Sequence, residues 1–173
     1  LDGIELRWQP KPVHGAVLTI PATAAAGETF NVRAIVSTSY VNAQDVVAYV
    51  TLPTAPLTIL NQQEAQSAAP TFVAAQNGGL YTATATTVAG VTVPANSVYW
   101  RINQNAGATG SLAFTLKVPT GCENGVWYDM QAVVSSPLAE TVVSDANPLT
   151  PAREISRTVV TSAPALEIWK TQY

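Results

Sequence analysis

Residues Val98 to Val134 read VYWRINQNAGATGSLAFTLKVPTGCENGVWYDMQAVV, and the fold class turns on how that stretch is parsed. Val98, Trp100 and Ile102 alternate with Tyr99 and Arg101. Leu112, Phe114, Leu116 and Val118 alternate with Ser111, Ala113, Thr115 and Lys117. Val126, Tyr128, Met130, Ala132 and Val134 alternate with Trp127, Asp129 and Gln131. A period of two marks half-buried strands, because successive side chains of a strand point to opposite faces. Asn105–Gly110 and Pro119–Gly125 supply the residues that tolerate tight reversals. The stretch therefore predicts a three-stranded antiparallel meander.

The same pattern runs outward in both directions. Glu28–Ser37 alternates with Phe30, Val32, Ala34 and Val36 inward, and Asp45–Leu52 with Val46, Ala48, Val50 and Leu52 inward and Tyr49 outward. His14–Ile20 and Leu57–Leu60 are shorter candidates, and Glu154–Ser162 closes the body. Thr71–Ala75 and Leu80–Thr87 flank Asn77-Gly78-Gly79, a sequence that predicts a hairpin. Leu1–Pro12 reads as an edge strand or lead-in, since Pro10 and Pro12 remove ladder donors. The Ala-rich segment after Pro21 is too short for a stable helix and ends at Gly27. Asn61–Pro70 is polar and reads as a long loop, and Ser136–Arg153 as turn-rich. About ten short strands without a helical period between them predict an all-β fold. The leading architecture is an Ig-like antiparallel β-sandwich with Greek-key connections, with a jelly roll as the alternative.

Composition narrows function by exclusion. The chain has 173 residues, 47% of them hydrophobic, enough for one large β domain with a substantial core. Charged residues make up 11%, against about 25% in ordinary globular proteins. A net charge of −3 with scattered Lys and Arg gives no footprint for nucleic acid. No apolar run approaches the ~18 residues of a membrane span, so no membrane insertion is expected in this segment. The chain opens at Leu1 without a signal peptide, which suggests a processed or excised piece of something longer.

The order of features resembles a known family. Gly27 before a long alternating strand, Asn42 in a polar turn and Leu52-Pro53 at a strand end come first. Trp100 within a strand, Gly107 and Gly110 in a turn, Val118-Pro119, Gly121 and the strand through Val134 follow. This succession is similar to the bacterial and archaeal surface-repeat family of Ig-like domains known as domain of unknown function eleven. The match covers roughly Gly27 to Ser135. It departs where Asn61–Val91 is longer than the family's usual connection, and where Asn42 lacks a following Thr-Gly. The resemblance implies one sandwich domain over residues 1–162, with 1–26 as lead-in and first strands and 27–135 as the family-like body. Residues 163–173 are then either the domain's last strand or the start of a following repeat. It also implies an extracellular or cell-surface location and neighbouring domains or other surface proteins as partners.

Reactive chemistry finds little footing. Nucleophilic catalysis needs a base beside the nucleophile, and the sole histidine, His14, sits between Val13 and Gly15 with no nucleophile elbow, as expected of a surface or strand-end residue. Cys122 stands alone in a predicted turn, with neither a disulfide partner nor a metal-ligand motif. The acidic residues are dispersed, and Glu123 with Asn124 or Asp145 with Asn147 are only fragments of a calcium loop. Lys117 lies on an outward face, which disfavours a buried Lys–Asn isopeptide staple. No catalytic residue, metal or cofactor is assigned. The candidate ligand-binding residues are the outward Tyr49, Tyr99, Arg101 and Trp127, and the three aromatic rings among them suit stacking on sugars. The competing reading has Tyr99 and Trp127 covered by the Asn61–Pro70 loop or by a neighbouring repeat. The expected function is a non-enzymatic spacer or adhesion module. A glycan-binding module and a pilus or sheath subunit joined through Ala165–Tyr173 are the rivals.

Overall fold

Thr29–Thr38 alternates between outward and buried positions along its length, with Phe30, Val32, Ala34, Val36 and Thr38 inside. That strand anchors the architecture, shown in a computed structural model that describes residues 10–54, 69–147, 149 and 152–162. The fourteen strands among the described residues begin with β1 (His14–Thr19), β2 (Thr23–Ala25), β3 (Thr29–Thr38), β4 (Ala43–Thr51) and β5 (Thr71–Ala75). They continue with β6 (Leu80–Thr82), β7 (Thr86–Val88), β8 (Val91–Val93), β9 (Ser97–Gln104) and β10 (Thr109–Lys117). The last are β11 (Trp127–Met130), β12 (Ala132–Ser136), β13 (Ala139–Val143) and β14 (Ser156–Thr161). The Leu1–Gln9 part of the lead-in, the Leu57–Leu60 run, most of the Asn61–Pro70 loop and the 163–173 tail lie outside the described residues.

Two sheets form the sandwich, in the orders β1-β3-β10-β5 and β13-β12-β4-β9-β6. These match the A-B-E-D and G-F-C-C′-C″ orders of a variable-type immunoglobulin sandwich, and not a jelly roll. The chain visits the positions differently, since β9 in the C′ place follows β5 and β6 in the D and C″ places. The fold is an Ig-like antiparallel β-sandwich. A third, small sheet, β11-β14-β2, closes one end and contains the only parallel pairing among the described strands, β14 with β2.

The core lies between the two large sheets. Val32, Phe114 and Leu116 from one meet Val46, Val50, Val98 and Trp100 from the other, all nearly or fully buried. The Trp100 and Phe114 rings are 6.0 Å apart between centroids, tilted at 47°, a geometry aromatic pairs favour.

Three expectations need correction. The Val98–Val134 strands exist but make no meander: β9 pairs with β4 and β6, β10 with β3 and β5, and β12 with β4 and β13. The Asn105–Ala108 turn is an arch between sheets, so that Trp100 and Phe114 face each other across the core. The Asn77-Gly78-Gly79 reversal likewise joins β5 in one sheet to β6 in the other. Finally, the Ala-rich segment and the turn-rich Ser136–Arg153 region each hold a short strand, β2 and β13.

Candidate functional site

Tyr49 and Tyr99 are opposite partners in the β4–β9 ladder. Leu80 pairs with Tyr99, Val133 with Tyr49, and Val143 with Val133. Directly opposed residues hold their Cβ atoms about 5 Å apart, so an apolar stripe crosses all five strands on the outer face. Tyr49 and Tyr99 are half-buried, and burial pushes the Tyr49 phenol pKa up.

Arg101 shares that face, two positions from Tyr99. Its Nε and Nη2 donate to Asp45 Oδ1 at 2.9 and 2.7 Å. The side chains are 60% and 41% exposed, so solvent screening holds this pair to at most about 1 kcal/mol.

Trp127 does not join them. It lies on β11 in the small sheet, half-buried, with the Arg157 guanidinium 4.9 Å from its ring centroid. Arg157 in turn donates to both carboxylate oxygens of Asp129 at 2.6 Å. The four outward candidates thus separate into one group, Tyr49, Tyr99 and Arg101, and a distant ring already stacked under a cation.

The β7–β8 hairpin lies against the outer face of the five-stranded sheet. Its turn residues Ala89 and Gly90 and the strand residues Val91 and Thr92 share a cleft of about 350 Å³ with Tyr49, Ser135, Ser136, Pro137 and Thr141. Sequence reasoning missed this cleft except for Tyr49. The VAGV turn carried some signal, but the residues that complete the cleft come from strands 40 or more positions away.

His14 was expected at a surface or strand end. It begins β1 but is buried, at 5% exposure. Its Nε2 lies 3.0 Å from Ser136 Oγ and its Nδ1 3.4 Å from Thr38 Oγ1. Thr38 donates its hydroxyl proton to Gln104 Oε1, and Gln104 Nε2 donates to Val36 O at 3.0 Å. Thr38 therefore faces His14 as an acceptor, so Nδ1 carries the ring proton and Nε2 accepts from Ser136. A hydroxyl donating to an imidazole is half of a nucleophile pair, but Ser136 is itself only 6% exposed. The network ties β1, β3, β9 and β12 together between the sheets, with Ser136 at the margin of the cleft beside the β7–β8 turn.

Other reactive groups are similarly engaged. Cys122, also buried, sits 3.5 Å from Tyr128 Oη, and burial pushes its thiol pKa up and that of the Tyr128 phenol far above its ordinary range. Asp145 Oδ1 accepts from the Asn147 and Glu154 amides, and Asn124 Oδ1 from the Ser162 amide, so these calcium-loop fragments serve as loop fasteners. Among the described residues no group of three or more His, Cys, Asp or Glu is placed to hold a metal ion, and no helix is long and apolar enough to cross a membrane.

The sequence matches no protein-family model and no curated protein. Among solved structures, the chain is similar to the CARDB domain of the PF1109 protein from Pyrococcus furiosus, at 10% identity and a TM-score of 0.46, covering 90% of this chain and 97% of that one. BslA, a bacterial hydrophobin, aligns at 12% identity and a TM-score of 0.44, covering 91% of this chain and all of that one. A family 123 glycoside hydrolase from Clostridium perfringens aligns at 10% identity and a TM-score of 0.42, over 87% of this chain but 28% of the hydrolase. At these scores the likenesses decide nothing about function.

Proposed function

We propose that the chain is a non-catalytic Ig-like module of a larger bacterial surface or secreted protein, acting as a spacer or adhesion domain through its sheet faces and loops. The observation that carries this reading is the fate of the reactive side chains. His14 is buried with both ring nitrogens engaged, Cys122 is buried against Tyr128, and Asp45 and Asp129 hold arginines. Charged residues make up only 11% of the chain, and the Gly27–Ser135 resemblance to surface repeats supports the placement.

The test pairs localisation with turnover. An antibody raised against this chain should label intact cells producing the parent protein, and brief protease treatment of those cells should remove the label. A panel of ester, peptide and glycoside substrates should show no turnover. Labelling only after lysis, or turnover abolished by His14→Ala, would overturn the reading.

A further inference from the structure

We propose that the cleft between the β7–β8 turn and the β12–β13 turn binds a neutral sugar. Its volume, about 350 Å³, lies at the small end of the ~300–1,000 Å³ range of small-molecule sites. Its chemistry is uniform in one respect: hydroxyls and an aromatic ring, with no charged residue in the lining. Thr92, Ser135 and Thr141 supply hydroxyl groups, each able to donate and accept, and Ser135 Oγ and Thr141 Oγ1 sit 3.0 Å apart. Tyr49 adds a half-buried ring, the kind of surface on which a pyranose stacks its C–H face. An anionic ligand would find no cation here and a cationic one no carboxylate, so either would lose hydration without replacement. A neutral polyol exchanges its water hydrogen bonds for hydroxyl partners and gains an apolar contact.

The rim of the cleft is formed by the tight turn of the β7–β8 hairpin. Four non-glycine residues among those described have positive φ: Asp45, Asn77, Asn96 and Ala89. The first three are of the types that tolerate this region. Ala89 (φ 46°) is not, and it is the one that borders the cleft. Ala89 and Gly90 are the two central residues of the β7–β8 hairpin. Paired positive φ is what such a two-residue turn requires, so the rim has a fixed backbone geometry. Gly90 follows at φ 81° with nothing within 4 Å of where a Cβ would stand, so the backbone opens onto free space. Beyond the cleft the Tyr99–Leu80 stripe continues across the sheet, offering a second apolar surface to a longer glycan.

The inference adds a ligand to the proposed module and does not depend on where the parent protein is displayed. The test is a ¹H–¹⁵N NMR titration of the chain with glucose, galactose, mannose, N-acetylglucosamine and their disaccharides, with glucuronate as the charged control. At least one neutral sugar should give saturable shifts at the Gly90, Thr92, Ser135 and Thr141 amides, with a Kd on the order of 1 mM. Thr141→Val, an exposed and nearly isosteric change, should weaken binding about tenfold, as should Tyr49→Ala, while Trp127→Ala leaves it unchanged. Absence of saturable shifts at those amides, shifts centred on Trp127, an equal response to glucuronate, or unchanged binding in both Thr141→Val and Tyr49→Ala would overturn the proposal. Cell labelling is untouched by any of these results, so the two readings fail separately.

Discussion

His14 is held neutral between Ser136 and Thr38, and desolvation by burial lowers its pKa from the ordinary 6.5. The unfolded chain therefore binds a proton more readily than the native state, and stability rises with pH between the native and unfolded pKa values. The contribution is full above pH 6.5 and is lost as pH falls from there toward the lowered native value. Urea melts between about pH 7.5 and about pH 5 should show falling stability in the wild type. His14→Gln keeps a donor and an acceptor but cannot titrate, so it should flatten that slope; an unchanged slope would move its origin elsewhere. A second buried polar atom is left over: Thr158 is fully buried and its Oγ1 has no hydrogen-bond partner. Desolvating an unpaired hydroxyl costs about 1–3 kcal/mol. Thr158→Val should accordingly raise the unfolding free energy by up to about 1 kcal/mol after small packing adjustments, read as a higher urea midpoint, and a lower midpoint would mean that the hydroxyl has a partner after all. Neither site could be read from the sequence. His14 is flanked by Val13 and Gly15, which give no periodicity to judge by, and its partners lie 24 and 122 residues away.

At the level of elements, periodicity gave strand existence and facing, because each follows from the side chains of one segment. Pairing is a relation between two segments, and there the same reading failed. Asn77-Gly78-Gly79 has the dihedrals of a type I′ reversal, with φ of 54° and 75° at its first two residues and Gly79 N–H donating to Gln76 O at 3.1 Å. Yet it makes an arch, because the Trp100 indole lies against it and donates Nε1–H to Gln76 O at 2.8 Å. A Cβ on Gly79 would stand 2.5 Å from the indole and 2.7 Å from Ala75 Cβ. Gly79→Ala should thus destabilise by about 1–3 kcal/mol, the range for forced overpacking, and should perturb Trp100 fluorescence. The VAGV turn of β7–β8 is the opposite case, a true hairpin in which Val88 pairs with Val91. There a left-handed Ala89 costs roughly 1–2 kcal/mol that glycine avoids. Ala89→Gly should stabilise by about 1 kcal/mol net of glycine's greater unfolded-state entropy, as read by thermal melt; destabilisation would show that the Ala89 methyl is needed for packing.

Over the whole molecule, the two sheets depend on a closure that the sequence signalled only as a terminal strand. β14 pairs antiparallel with β11 and parallel with β2, joining Thr23–Ala25 to residues more than 130 positions later. It receives Gly125 N–H at Val160 O, 2.9 Å, and Ala26 N–H at Thr161 O, 2.9 Å. It gives Val159 N–H to Ala22 O at 3.0 Å, while Ser156 Oγ donates to Leu18 O at 2.9 Å. Val160 is fully buried, beside a core that includes the stacked pair Phe30 and Tyr128. Removing β14 would leave these carbonyls and amides unpaired and uncover part of that aromatic core. Each lost backbone bond at a buried site costs about 1 kcal/mol or more, against a total stability of about 5–15 kcal/mol for a domain. Because the alternation of Glu154–Ser162 is ordinary, its sequence gives no hint that this strand matters more than the others; its importance comes from position, not composition. A chain ended after Glu154 should lose its cooperative urea transition and its near-UV circular dichroism, whereas Val160→Ala should keep both and lose about 1–3 kcal/mol. A cooperative transition in the shortened chain would show that β1, β3, β4, β9, β10 and β12 are stable alone, leaving β14 an attachment to a sandwich already complete.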